Sequence, residues 1–327
     1  MIYLSATILS IIIFCNHRII SKFFNLYDYP DKNLKKHDLI TAPNGGVFIF
    51  LIFLISFSAN QINSNTKFFF FSSIFESVTF ILFSFIVLFY GIIDDKIRFR
   101  SEIKSIVFLT LFTFFCFFSN DATLNYFYTS LYSANYNLGK LSIPFSIFCY
   151  MSFTQAFNMY DGLDRQSGLL ALLHLLFFFY VSNFSIFFIY ILIPIIFFLI
   201  FNRKGKLFLG NGGSNFLSFF IGYIAIRLAE NGALSAEYIL ILFAIPGYEL
   251  LRLFIERILK KKNPLKGDLN HIHHLAIKKF TYLQSLIIIL SLTIIPVLGI
   301  LINVQIYFII IFQLISYVLF ITYVKIK

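Results

Sequence analysis

The chain has 327 residues, 59% hydrophobic and only 13% charged, whereas soluble domains carry about 25% charged residues. That composition excludes an ordinary soluble enzyme, and the length suits one membrane bundle over 1–327 rather than several domains. The net charge of +11 would suit nucleic acid on a soluble surface, but here it lies in short loops between apolar runs, so no nucleic-acid partner is expected.

Apolar segments long enough to cross a bilayer fall at 3–20, 46–60, 69–91, 104–119, 142–158, 168–183, 185–201, 214–229, 235–255, 283–302 and 304–324. The fold class predicted is all-α, a polytopic integral membrane protein of about eleven transmembrane helices. The first run has neither a basic leader nor a small-residue cleavage site, so it is expected to remain as a span. When loops are assigned alternately to two sides, all Lys and Arg except Lys67, Lys140 and Arg227 fall on one side. The positive-inside rule makes that side the cytoplasm, with the N-terminus outside and the C-terminus inside. Loop 120–141 is read as an ordinary external connection. Cys15, Cys116 and Cys149 sit in apolar runs without metal-ligand spacing and are expected to be free thiols facing lipid or core.

The polar clusters all fall on the predicted cytoplasmic side. In the first, Lys35, Lys36 and His37 precede Pro43 and Gly45-Gly46; the basic groups could meet phosphate, or serve only to orient the loop. Next come Asp94 and Asp95 at the end of an apolar run, followed by Lys96, Arg98, Arg100 and Lys104. Adjacent carboxylates repel unless a cation lies between them or one keeps its proton, and Mg²⁺ is often held by one or two carboxylates plus substrate phosphates. A charged helix end with basic neighbours would look the same.

The third cluster is Asn158, Asp161 and Asp164, spaced three residues apart so that a helical end would point them to one side, followed by Arg165. Such groups at a membrane boundary are costly without a role, although a solvated connection would also carry them. The fourth, Gly210-Asn211-Gly212-Gly213, precedes a helix whose first N–H groups could receive an anion, or is a plain turn. The last is a long basic loop with Arg252, Arg257, Lys260 to Lys262 and Asp268, closing on His271, His273 and His274. Without Cys or Glu at ligand spacing, these imidazoles suit a diphosphate or a uracil ring better than zinc. An anionic-lipid patch would explain the lysines but not the histidines.

These motifs, in this order, resemble the polyprenyl-phosphate N-acetylhexosamine-1-phosphate transferases of glycosyltransferase family 4, related to the muramoyl-pentapeptide phosphotransferase of peptidoglycan synthesis. The likeness covers almost the whole chain: Pro30 to Gly46, Gly91 to Asp95 with Lys104, Asn158-x-x-Asp161-Gly162-x-Asp164, and Pro246, Arg252, Arg257, Pro264, Asp268 and His271-x-His273-His274. The His-x-His-His form points to the sugar-1-phosphate branch. Three positions depart: Asn211 stands where the family usually has a Mg²⁺-ligating Asp, Arg165 where it commonly has Gly, and Glu249 where it commonly has Asp.

The resemblance implies transfer of N-acetylhexosamine 1-phosphate from a UDP-sugar to undecaprenyl phosphate, releasing UMP and starting a surface polysaccharide. Asp94, Asp95, Asp161 and Lys104 would be catalytic. Asn158, Asp164, His271, His273, His274, Lys35 and His37 would bind substrate, and Asp161 and Asn211 would hold Mg²⁺, with Mn²⁺ as substitute. It also implies a site on the cytoplasmic face of a bacterial inner membrane, contact with membrane lipids, and a homodimer as the candidate assembly. The alternative is a catalytically impaired relative that binds nucleotide sugar or lipid-linked sugar. A transporter, the third reading, needs polar groups near the bilayer midplane, where Glu76 and His174 are the main candidates.

Overall fold

A computed structural model describes residues 2–23, 44–63, 70–203, 207–265 and 268–326. The helices are α1 (Ile2–Cys15), α2 (His17–Phe23), α3 (Gly45–Asn63), α4 (Ile74–Ile97), α5 (Ser101–Phe118), α6 (Ser142–Tyr160), α7 (Gln166–Val181), α8 (Ile189–Phe201), α9 (Gly210–Glu230), α10 (Ala236–Leu259), the short α11 (Ile272–Ala276), α12 (Tyr282–Leu301) and α13 (Ile306–Lys325). A helix lies on each apolar segment expected from the sequence. Among the described residues, α4, α5, α10, α12 and α13 are long and apolar enough to cross a membrane by length and composition. The chain is a helical, multi-pass membrane protein.

Two segments depart from the sequence expectation. The first breaks at Asn16, whose side-chain amide donates to the Ile12 carbonyl at 2.8 Å and so competes with the helical ladder. Loop 120–141 is more ordered than a plain connection. It forms a 3₁₀ turn and an antiparallel hairpin, β1 (Tyr126–Thr129) against β2 (Ala134–Asn137), with Phe127 opposite Tyr136. Two carboxylates grip this hairpin. Glu230 accepts the Asn125 and Tyr126 N–H groups at 2.7 and 3.0 Å, and Glu237 accepts those of Ser130 and Leu131 at 3.0 and 3.2 Å.

Helix α9 is the hub. From Gly212 to Ala229 every residue but Arg227 is buried, and α3, α4, α6 and α7 pack around it. Its core partners are rings: Phe80 stacks on Tyr223 with centroids 4.4 Å apart, and Phe115 meets Phe219 edge-on at 4.9 Å. Such pairs contribute about 0.5–1.5 kcal/mol beyond area burial. They suit a lipid setting, where packing rather than the hydrophobic effect joins helices.

At one end, glycines bring three helices together. A Cβ on Gly91 would lie 2.5 Å from Gly212 Cα, and one on Gly46 would lie 2.0 Å from Gly213 Cα. The start of α3 is also tied to the stretch before α9, where Gly45 and Gly46 N–H donate to the Phe208 and Leu209 carbonyls at 2.9 and 3.2 Å. The glycines at 212 and 213 permit α4 and α3 to touch α9.

At the opposite end Glu76 is not a midplane group. It lies in the first turn of α4 and accepts from Ser119 Oγ and, at 3.0 Å, the Asn120 N–H. His174 is packed locally, its Nε2 2.8 Å from the Leu242 carbonyl oxygen. Neither supports a transport path. The three cysteines are free.

Candidate active site

The C-terminal ends of α4, α6 and α10 meet the N-terminal ends of α5 and α9 around a cavity of about 440 Å³. Asp94, Lys104, Asn158, Asp161, His271, His273 and His274, all expected as site residues, line it. Lys35 and His37 lie outside the described residues. Asp95, Asp164 and Asn211 are not among the lining residues. The exposed Lys260 to Lys262 run also lies off the cavity.

The end of α4 sets the acidic wall. Arg98 closes the helix in the left-handed region at φ 57, and its N–H reaches the Asp94 carbonyl at 2.8 Å. This turn brings the Phe99 N–H to Asp94 Oδ1 at 3.0 Å. Lys104, one turn into α5, places Nζ 2.6 Å from Asp94 Oδ2. Asp94 is 2% exposed, so this pair offsets a charge that burial would otherwise disfavour. Asp95 turns the other way: its carboxylate accepts the Asn211 N–H at 2.9 and 3.2 Å. The start of α9 therefore does attract an anion, as helix N-termini do, and the anion is the chain's own Asp95.

The end of α6 carries Asn158 and Asp161. Asn158 Nδ2 faces Ser214 Oγ at 3.1 Å and Asn215 Oδ1 at 3.2 Å. Asp161 caps the helix, its N–H bonded to the Phe157 carbonyl at 3.1 Å, and its carboxylate accepts from Ser167 Oγ at 2.5 Å. Burial pushes the Asp161 pKa up from 3.8 to about 6; the Ser167 bond opposes this and the Asp164 charge adds to it. Asp164 thus acts on Asp161 electrostatically. Arg165 follows at φ 68, with its N–H on Asn202 Oδ1. Left-handed backbone costs a non-glycine residue roughly 1–2 kcal/mol, which explains the glycine in the family pattern.

The basic wall hangs from α10. Arg257 Nε bonds Asp268 Oδ2 at 3.0 Å and Nη1 the Pro264 carbonyl at 2.9 Å, leaving Nη2 buried without a partner. Glu249, 1% exposed, receives Arg252 at 2.6 Å, Tyr317 Oη at 2.8 Å and the Ile272 N–H of α11 at 2.7 Å. Arg252 also donates to the Asn270 carbonyl at 2.7 Å. These bonds hold the histidines as a stack, with His271 and His273 ring centroids 5.4 Å apart and planes 11° from parallel.

Burial lowers the pKa of both His271 and His273, the latter to about 3 with help from His274 and His271. Both rings are therefore neutral near pH 7, and both Nδ1 atoms are buried without a partner. Gly162 makes room for one of them, because a Cβ there would lie 2.0 Å from the His273 ring.

The sequence reading missed Ser101, Thr154, Gln155 and Asn215 in the lining and gave Arg257 no role. A signal existed for Asn215. Asn211, Ser214, Asn215 and Ser218 form a polar stripe at helical spacing on an otherwise apolar helix.

A divalent ion fits this site at Asp161, where a buried carboxylate beside Asp164 favours a cation. Asn211 offers it little, because its side-chain oxygen faces Asn158 Nδ2 at 3.4 Å and its Nδ2 faces Asp94. Among the described residues no three His, Cys, Asp or Glu side chains are grouped to hold a metal.

Fold and site together define a membrane protein whose cavity pairs carboxylates with cations and neutral imidazoles. A family model described as glycosyl transferase family 4 matches residues 77–229. The undecaprenyl-phosphate alpha-N-acetylglucosaminyl 1-phosphate transferase of Thermotoga maritima is 28% identical over 307 residues, covering 93% of this chain and 91% of its own. A probable undecaprenyl-phosphate N-acetylglucosaminyl 1-phosphate transferase of Bacillus subtilis is 26% identical, covering 74% and 67%. The Escherichia coli undecaprenyl-phosphate alpha-N-acetylglucosaminyl 1-phosphate transferase is 24% identical, covering 62% and 59%. The family model and these relatives together support placing the chain in glycosyl transferase family 4.

Proposed function

We propose that the chain transfers N-acetylhexosamine 1-phosphate from a UDP-sugar to undecaprenyl phosphate at the cytoplasmic face of a bacterial inner membrane. The observation that carries this reading is the single cavity that joins Asp94 and Lys104, Asn158 and Asp161, and Arg257 with three histidines from distant segments. The names of the three relatives support the acceptor and the transferred group.

In the reaction, an oxygen of the lipid phosphate attacks the sugar-proximal phosphorus of the donor. A new P–O bond forms, the bond to the bridging oxygen breaks, and UMP leaves. A phosphate monoester loses its second proton near pH 6, so the acceptor is already nucleophilic and needs orientation more than a base. Catalysis is then positioning and charge neutralisation. Lys104 and Arg257 offset phosphate charge, and the neutral His271 and His273 rings line the cavity where the nucleotide would lie. Asp94 fixes Lys104, while Asp95 acts at a distance by capping α9. Mg²⁺, or Mn²⁺ in its place, would be held at Asp161 and would supply Lewis-acid stabilisation of the transferring phosphoryl group.

The test is UMP release by the purified full-length protein with undecaprenyl phosphate, Mg²⁺ and a panel of UDP-N-acetylhexosamines. Release should require the lipid and fall at least about 100-fold in Asp161→Ala, the scale of losing one preorganised electrostatic group. Release without lipid, or full activity in that variant, would overturn the assignment. The contact between Asn211 and Asp94 favours a second reading, a relative that binds but does not turn over. Donor binding without UMP release from any sugar would select it.

A further inference from the structure

Three segments meet at Asn211. Its backbone is fixed by the Asp95 carboxylate, and its side-chain amide then bridges two neighbours. Nδ2 donates to Asp94 Oδ2 at 2.9 Å, and Oδ1 faces Asn158 Nδ2 at 3.4 Å. This orientation is dictated by its surroundings, since the flipped amide would set oxygen against a carboxylate and one NH₂ against another. With Phe99 N–H on Oδ1, and Lys104 Nζ and Asn211 Nδ2 on Oδ2, the buried Asp94 carboxylate has donors on both oxygens. An acid at position 211 would place a second carboxylate oxygen about 2.9 Å from Asp94, an arrangement that needs a proton or a cation between the two.

We infer that Asn211 is a positioning residue that does the work of a cation, holding Asp94 and Asn158 in register and closing this corner of the cavity to divalent ions. Ion binding is left to the Asp161 corner. Asn211→Asp would convert the join into one that requires a divalent ion. The inference rests on contacts within the ligand-free chain, so it stands or falls separately from the proposed reaction.

The experiment is thermal unfolding of the full-length protein without nucleotide or lipid substrate, in EDTA and in millimolar Mn²⁺. In EDTA, Asn211→Asp should lose roughly 3 °C or more in Tm, and Mn²⁺ should restore it by a larger shift than it gives the wild type. Asn211→Ser removes the bridge without adding charge, so it should lose Tm and gain no added Mn²⁺ response. The swap Asp94→Asn with Asn211→Asp again faces one carboxylate with one amide and should lose the added response. Equal Mn²⁺ shifts in wild type and Asn211→Asp, or an undiminished response in the swap, would overturn the inference. Electron paramagnetic resonance gives an independent reading on the unaltered residue 211. Wild type should bind at most one Mn²⁺ in the site, lost in Asp161→Asn; an ion retained there in Asp161→Asn would also overturn it.

Discussion

Burial of the Asp161 carboxyl, opposed by Ser167 and reinforced by Asp164, raises its pKa from 3.8 to about 6. The folded state therefore holds this proton more tightly than the unfolded chain. Between about pH 4 and pH 6 the native protein carries the proton and the unfolded chain has lost it, so this contribution to stability is lost as pH rises through that window. Its slope is at most about 1.4 kcal/mol per pH unit. Asp161→Asn should flatten the fall, measured as Tm against pH in EDTA without substrate; an unchanged slope would remove Asp161 as its source. Asp268 goes the other way. Burial alone would raise its pKa, but the Arg257 bond and the Asn270 N–H outweigh it and hold the group below the usual carboxylate range. These two acids of the cavity lining thus respond to pH with opposite signs.

At the scale of elements, the apolar segments were legible because a bilayer demands long, continuous hydrophobic runs, and every run is helical, the first in two pieces. The hairpin was not, since Tyr126 to Asn137 carries no two-residue turn signal and is held by Glu230 and Glu237 from far along the chain. Site residues grouped in short motifs, such as Asn158 with Asp161 or His271 to His274, were legible as groups. What joins one motif to another was not: Asp95 capping α9 is a contact between residues 116 apart. The seat of His273 on Gly162 is another such join. Gly162→Ala would push the ring, and with it α11, out of place by the width of a methyl group. A displacement near 1 Å can cost about 100-fold in rate, so UMP release should fall by 10- to 100-fold. The double variant Gly162→Ala/His273→Ala should be no worse than His273→Ala alone, because the two losses share one contact. Additive losses would mean that Gly162 acts some other way.

Across the whole molecule, the ends of α4, α6 and α10 gather the cavity while the hairpin and the α12–α13 turn lie at the opposite end. The positive-inside rule predicts that the cavity end faces the cytoplasm. Single cysteines in a background lacking Cys15, Cys116 and Cys149 test that assignment. A membrane-impermeant thiol reagent on intact cells should label Tyr132→Cys and Asn303→Cys, and should reach Lys261→Cys only after lysis. Labelling of Lys261→Cys in intact cells would reverse the orientation.

The shared carboxylate of Glu249 also bears on the order in which the protein is made. It binds the Ile272 N–H at the head of α11 and Tyr317 on α13, so the histidine wall is tied to a helix synthesised after it. Domains emerge from the ribosome over seconds, and α4, α5, α6 and α9 can pack while α13 is still being translated. The acidic wall can thus form first, whereas the bond from Tyr317 to the carboxylate that holds α11 forms only once α13 has been made.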